Sequence, residues 1–355
     1  MPSFKEGNYQ KVLFYILSAG VLKPSHYITL EFIMLQSFIE SLPPEVLGTL
    51  NDLNLDIKSA DCNTKINQLL KNSVLVGGKR LRPLLTFIIG HLLEVDSQKL
   101  IPYARAVELV HAASLSHDDV IDNATTRRGV PSINIQGDNK MAVLAGDFLL
   151  ADVIVDLCQS GRLELVQEMA KVIQALAEGE WIQHDASKNK QYSREVIEEI
   201  AIKKTASVMS YCCVAPAMIK NLPDGLVEIA RDFGCNLGIA FQLIDDTLDF
   251  SGHSNKDMLL DLDNGIVNSV VYEWLENNHE LKKRFEGGGD LREIFTTDHL
   301  DASIQTVRKK ALSHLERSRE ALDVLIKESH ISAEHAEQAK KPLLSILSFL
   351  ANREI

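Results

Sequence analysis

Apolar residues recur at three- and four-residue spacing through Leu163–Ala177, Val227–Phe250, Val307–Ile326 and Ala333–Leu350. That period puts them on one side of an α-helix, so each stretch predicts an amphipathic helix with its apolar face turned to a core. Alternating runs of β-branched residues between turns, the mark of strands, are scarce. Breakers fall between the periodic stretches, at Gly77-Gly78, Gly129-Val130-Pro131, Leu222-Pro223-Asp224-Gly225, Ser251-Gly252 and Gly287-Gly288-Gly289. The segment Glu286–His299 lacks the period and reads as a surface loop. With no fixed-period repeat and no long flexible linker, the expectation is an all-α chain with a single main domain over 46–355. Residues 1–45, ending near Pro43-Pro44, are expected to form an appended helical extension.

Charge narrows the partners. The 355 residues carry a formal net charge of -12, which argues against nucleic acid or an anionic membrane surface as the main partner. A highly anionic substrate would need a local basic cluster or bridging metal ions. Cys62, Cys158, Cys212, Cys213 and Cys235 show no C-x-x-C or zinc-like spacing, and suit a reducing compartment where each acts as a small apolar residue. The apolar run Val12–Leu22 is too short to span a bilayer and has no small-residue cleavage site after it. No arginine precedes Arg80, unlike an Arg-rich organellar presequence, so the expected location is cytoplasmic.

The strongest chemical signal is an aspartate pattern, D-D-x-x-D, that occurs twice: Asp118-Asp119-Val120-Ile121-Asp122 and Asp245-Asp246-Thr247-Leu248-Asp249. Each ends an apolar, helix-periodic run. Residues four apart share a helix face, so Asp118 and Asp122 repel each other, as do Asp245 and Asp249. A divalent cation converts that repulsion into coordination. Magnesium suits the pattern because it takes one or two protein carboxylates and fills its remaining positions with water and phosphate oxygens. One such triplet in an acidic chain is weak evidence and reads as a solvated helix end; two, both embedded in apolar helices, are not decoration.

Cations accompany the carboxylates. Gly77-Gly78-Lys79-Arg80-Leu81-Arg82-Pro83 combines glycines that permit close backbone approach with Lys79, Arg80 and Arg82, which can grip a diphosphate. Arg127-Arg128 follow the first triplet, Lys203-Lys204-Thr205 sit mid-chain in a helical context, and Lys256 follows the second triplet. Carboxylates for metals beside scattered cations for phosphate oxygens describe a site for two diphosphates, suited to the departure of pyrophosphate.

These residues resemble the trans-isoprenyl diphosphate synthase, or polyprenyl synthetase, family. The resemblance covers about residues 70–270 and rests on GGKRLRP (77–83), ELVHAASLSHDDVIDNATTRRGVPS (108–132), AVLAGDFLLA (142–151), EGEWIQ (178–183), KTA (204–206) and FGCNLGIAFQLIDDTLDF (233–250). It implies an antiparallel helical bundle around a deep central cavity, assembled as a homodimer. Position by position, Asp118, Asp122 and Asp245 would be the principal magnesium ligands, with Asp119, Asp246 and Asp249 supporting a cluster of about three ions. Arg127, Lys204 and Lys256 would hold the allylic diphosphate; Lys79, Arg82, His111 and Arg128, with Arg80 beside them, would hold isopentenyl diphosphate. His111 alone in an apolar helix would read as a core residue, but it lies two turns before Asp118, on the cavity side. Thr205 and Gln242 would flank the carbocation with their oxygen dipoles. The mechanism implied is ionisation, condensation and elimination, with no protein nucleophile.

Chain length in this family is set near the turn before the first triplet. Here that turn carries the small Ala113 and Ser114, with Val110 one turn further down, which favours an all-trans product longer than the fifteen-carbon class. Geranylgeranyl diphosphate is the shorter alternative, and a long product implies peripheral membrane contact for its release. The segment after the second triplet, Asn255-Lys256, Asp261-Leu262-Asp263-Asn264-Gly265, Asn268 and Val270, keeps Lys256 and Asp261 at the family's separation but replaces the glycine, threonine and proline that usually flank them. Three rivals are weighed. A non-catalytic subunit of a heteromeric synthase tends to lose aspartates, and both triplets here are complete. A terpene cyclase needs no second diphosphate site. A purely structural helical protein leaves the triplets unexplained.

Overall fold

A computed structural model of the chain describes residues 38–57, 64–75, 77–78, 80–127, 129–250, 262 and 265–353. The expected 1–45 extension therefore lies outside the described residues up to residue 37, as do Cys62, Lys79, Arg128, Ser251-Gly252, Asn255-Lys256 and Asp261. In chain order the helices are α1 (Pro44–Asn51), α2 (Thr64–Asn72), α3 (Leu81–Leu92), α4 (Ser97–Ile121), α5 (Ile133–Gln136), α6 (Asn139–Gln159), α7 (Leu163–Asn189), α8 (Arg194–Ala201), a π-turn (Ile202–Ala206), α9 (Ser207–Ile219), α10 (Asp224–Leu248), α11 (Ser269–Asn277), α12 (His279–Glu286), α13 (Leu291–Ile294), α14 (Leu300–Glu328), α15 (Ala333–Ala339) and α16 (Lys341–Asn352). A hairpin of two short strands, β1 (Thr126–Arg127) and β2 (Val130–Pro131), pairs antiparallel with Arg127 opposite Val130. The fold is all-α, as the periodicity predicts.

Local sequence sets the helix starts. Asp96, Asp138, Ser193 and Ser332 each accept a hydrogen bond from a backbone N–H of the first turn they precede. The stretch expected as one helix over Ala333–Leu350 is instead two, α15 and α16, divided at Lys340. Pro342 lacks the N–H that would continue the ladder, so the chain restarts its helix there.

The described residues fall into two compact units, those within 1–169, 215–221 and 332–342 in one and those within 170–214, 222–331 and 343–355 in the other. The first is built on α4, which packs against α3 and α6. Its core includes Leu84, Phe87, Ile88, Val107, Val110, Leu149 and Val153, all buried. Within it the buried Arg105 of α4 pairs with Asp152, at 3.0 Å, and with Asp156, both on α6.

The second unit is built on the long contact between α10 and α14, where Ser318 Oγ donates to the Phe233 carbonyl at 2.8 Å. Beside it lies a core of Val271, Trp274, Leu275, Phe285, Leu291 and Ile294. The region 286–299, expected as a surface loop, is anchored in this core: α13 buries Leu291 and Ile294, and Trp274 Nε1 donates to the Asp298 carbonyl at 2.8 Å. Four residues are too short a window for an apolar period to show, which is why the sequence pattern passes over α13.

Candidate active site

The first aspartate set straddles the end of α4, with Asp122 as its C-cap. The last turn of a helix presents unpaired carbonyls and the negative end of the dipole, so carboxylates there are unfavourable until a cation joins them. Asp118 and Asp122 are half-buried on one face. Asp119 turns the other way and is 0% exposed. Its Oδ1 accepts from Arg127 Nε at 2.7 Å, while its buried Oδ2 has no hydrogen-bond partner among the described residues. Burial pushes the Asp119 carboxyl above the usual range, against the pull of Arg127. Arg127 is carried by the β1–β2 hairpin, whose loop is tied down by Ser132 Oγ to the Ala124 carbonyl (2.7 Å) and by Asn134 Nδ2 to the carbonyls of Asp119 (3.1 Å) and Ala124 (3.0 Å).

In the same unit, the glycine pair turns the chain into α3. Gly77 has φ 65 and Gly78 φ 87, a left-handed conformation that side chains rarely adopt. Arg80, the N-cap of α3, donates to Glu108 Oε1 at 2.7 Å and to the Leu75 carbonyl at 3.0 Å. Arg82 and His111 are half-buried, on α3 and α4. Val110 and Ala113 are buried, and Ser114 bonds the His111 carbonyl at 2.9 Å.

The second set straddles the end of α10 in the same way, with Asp249 as C-cap. Asp245 is exposed, its Oδ1 3.6 Å from Arg353 Nη1, and Asp249 is half-buried. Asp246 is buried: Oδ1 accepts from Gln242 Nε2 at 2.8 Å and Oδ2 from the Ser269 N–H at 3.0 Å. Burial raises its carboxyl, these bonds lower it, and the Asp245 charge adds to the rise. Gln242 Oε1 in turn accepts from Thr205 Oγ1 at 2.6 Å.

Thr205 lies in the π-turn, where the helix widens. Gly238 of α10 is what lets this segment approach, since a Cβ there would stand 2.5 Å from Ala206 Cα. Lys204 Nζ bonds the Glu180 carboxylate and Gln183 Oε1, the latter at 3.1 Å, and Lys203 Nζ lies 2.6 Å from Glu178.

The first unit thus gathers Asp118, Asp119, Asp122 and Arg127, and the second gathers Lys204, Thr205, Gln242, Asp245, Asp246 and Asp249. Sequence reasoning gave no site role to Asn134, Glu180, Gln183, Asn268 or Ser269. Glu180 and Gln183 stand in the EGEWIQ motif, three apart on one helix face, and Asn268 before an apolar run is a helix-cap signal. A cleft of about 650 Å³ in the second unit, lined by residues including Trp181, Lys190, Tyr192 and Glu286, contains none of the expected site residues.

Among the described residues no three His, Cys, Asp or Glu side chains form a ready-made metal cage. The donors nevertheless fit magnesium. Each set offers hard carboxylate oxygens one helical turn apart and reachable by solvent, the partial shell that this ion completes with water and phosphate.

The sequence profile of the family described as polyprenyl synthetase matches residues 63–301. The chain is 37% identical over 245 residues to a protein named mitochondrial solanesyl-diphosphate synthase 1 from Oryza sativa subsp. japonica, covering 67% of this chain and 56% of the relative. It is 33% identical over 272 residues to a decaprenyl-diphosphate synthase of Dictyostelium discoideum, covering 72% of this chain and 59% of the relative. The matched region is thus less than two thirds of the length of these curated relatives. Among solved structures, polyprenyl synthase from Caulobacter crescentus, described as complexed with calcium and isoprenyl diphosphate, superposes with a TM-score of 0.74 at 26% identity over 90% of this chain and 98% of that one. No helix among the described residues is long and apolar enough to cross a membrane.

Proposed function

Because the chain belongs to the polyprenyl synthetase family, we propose that it is a magnesium-dependent prenyltransferase joining isopentenyl diphosphate to an allylic diphosphate. The observation that carries this is the pair of complete aspartate sets. Each ends a helix, each buries its middle carboxylate, and each leaves its outer two reachable by solvent. Magnesium on Asp118, Asp122, Asp245 and Asp249 would supply positive charge to the departing pyrophosphate.

The chain's own groups do the rest. Arg127, its Nε held by Asp119, offers its terminal nitrogens to the allylic diphosphate. Lys204, positioned by Glu180 and Gln183, supplies a second cation to that diphosphate, and Lys256 a third. Thr205 commits its hydroxyl proton to Gln242, so its lone pairs are what it offers to the allylic carbon as positive charge develops. The Gln242 amide cannot flip without facing its oxygen to the Asp246 carboxylate. Lys79, Arg80, Arg82, His111 and Arg128 are assigned to isopentenyl diphosphate, Arg80 anchoring the loop through Glu108 as well. The allylic C–O bond breaks, the isopentenyl double bond attacks the cation, and the proton lost in forming the new double bond passes to the released pyrophosphate.

The buried small residue Ala113 and the absence of an aromatic at Val110 and Ser114 support a product longer than the fifteen-carbon class, as do relatives named for solanesyl and decaprenyl products. A homodimer is supported by α6, whose outer face carries Leu144, Phe148, Ala151 and Val155 at helical spacing with Leu144 and Val155 exposed. Cys158, Cys212, Cys213 and Cys235, which are free thiols, fit a reducing compartment, the cytoplasm on the sequence reading.

The test is incubation of the protein with labelled isopentenyl diphosphate, Mg²⁺ and each of the five-, ten-, fifteen- and twenty-carbon allylic primers, with products sized after dephosphorylation. A ladder ending well beyond twenty carbons is expected. A stop at twenty carbons would keep the chemistry and replace the chain-length assignment with geranylgeranyl diphosphate. No turnover with any primer would point to a partner-dependent subunit.

A further inference from the structure

The second aspartate set is gripped from outside its own helix by two consecutive residues. Asn268 Nδ2 donates to Asp249 Oδ2 at 3.4 Å, and the Ser269 N–H donates to Asp246 Oδ2 at 3.0 Å. Asn268 is at the same time the N-cap of α11, its Oδ1 accepting from the N–H groups of Val270 (3.1 Å) and Val271 (3.0 Å). That double acceptance settles which end of the amide is which: the oxygen faces α11, so the NH₂ must face Asp249. The turn leading into Asn268 is itself pinned. The Gly265 carbonyl accepts from both Ser187 Oγ and Tyr192 Oη at 3.3 Å, and Tyr192 Oη accepts from the Val267 N–H at 3.4 Å. Gly265 adopts φ 66 at this turn.

From this geometry we infer that Asn268 is a positioning residue for Asp249: it fixes the rotamer with which this carboxylate faces a metal ion, and Ser269 does the same for the Gln242–Asp246 chain behind it. The inference rests on the proposed function and deepens it. A side chain that only capped α11 would need an oxygen and no donor, whereas Asn268 uses both ends. A serine at 268 keeps the cap and removes the NH₂; an alanine removes both.

The experiment is a thermal melt of the full chain titrated with Mg²⁺ in the presence of inorganic pyrophosphate, for the wild type, Asn268→Ser and Asn268→Ala. For Asn268→Ser the melting temperature without additives should stay near that of the wild type, while the Mg²⁺ concentration giving half of the maximal shift rises about tenfold, as loss of a partner behind a metal ligand commonly does. Asn268→Ala should show the same displaced midpoint and a lower starting temperature. In turnover assays the Mg²⁺ requirement of Asn268→Ser should rise by a similar factor. An unmoved midpoint in Asn268→Ser, beside a clear wild-type shift, would reduce Asn268 to a helix cap and overturn the inference alone. No Mg²⁺-dependent shift in the wild type would overturn both the inference and the function it rests on.

Discussion

In the first unit the buried middle carboxylate, Asp119, meets a guanidinium; in the second, Asp246 meets an amide NH₂ and a backbone N–H. Arg127 retains 23% side-chain exposure, so the Asp119 pair can exchange protein for water on its cationic side. Asp246 meets no cation among the described residues: dipoles hold its carboxylate, with Asp245 beside it. The same five-residue pattern is therefore supported in two ways. What the two sets share is a division of labour within the D-D pair: the first aspartate faces solvent, and the second turns inward and locks the groups around it.

The largest expected effects test whether the outer carboxylates are equivalent. Asp118→Ala and Asp245→Ala should each lower kcat/KM by about 10²–10³ or more, measured as incorporation of labelled isopentenyl diphosphate. A large loss in only one of them would break the parity of the two sets.

Next come the middle carboxylates, where the units should part company. Asp246→Ala strands the Gln242 amide and the Ser269 N–H, each of which costs about 1–3 kcal/mol when buried without a partner. A drop in melting temperature of roughly 5 °C or more follows. Asp119→Ala should cost less, because Arg127 can turn to water. Equal drops in calorimetry would show that the cation makes no difference.

Gly238→Ala should act on the second unit through packing. The added methyl meets the Ala206 backbone, which cannot yield as a flexible side chain would, and overpacking of this kind costs about 1–3 kcal/mol. It should also raise KM for the allylic diphosphate by displacing Lys204 and Thr205, an effect read from initial rates at varied primer concentration.

The smallest effect concerns pH, and among the described residues each unit has one histidine whose pKa is lowered. Burial lowers the pKa of His91 and of His314, with His335 adding to the first and Arg317 to the second, while Glu45 and Glu198 oppose the change. As pH falls through about 6.5, the unfolded chain takes up protons that these folded imidazoles refuse. Their contribution to stability is therefore complete above that pH and is lost progressively below it. Melting temperatures should fall between pH 7.5 and 5.5, and His91→Asn or His314→Asn should flatten the fall. A slope unchanged by either variant would locate the pH dependence elsewhere.

Some of this is legible in the sequence alone. The helical period along Val227–Phe250 and Val307–Ile326 anticipates α10 and α14, because hydrogen bonds four residues apart make helix formation a local matter. The repeated D-D-x-x-D spacing likewise declares which carboxylates share a face. What stayed hidden is non-local or too brief for a period to register. Lys203-Lys204-Thr205 reads as ordinary helix, and only the approach of Gly238 reveals the widened turn. Asn268 reads as a cap; that its other end reaches Asp249 depends on a chain return nineteen residues later.

The sequence by itself determined the helical class, the family, and which carboxylates and cations stand at motif spacing, since these follow from residue type and short-range spacing. Only the tertiary structure decided which way each aspartate faces. Burial and hydrogen-bond partners are set by elements distant along the chain, and it is those partners, Arg127 for Asp119 and Gln242 with Ser269 for Asp246, that separate the inward carboxylates from the outward ones.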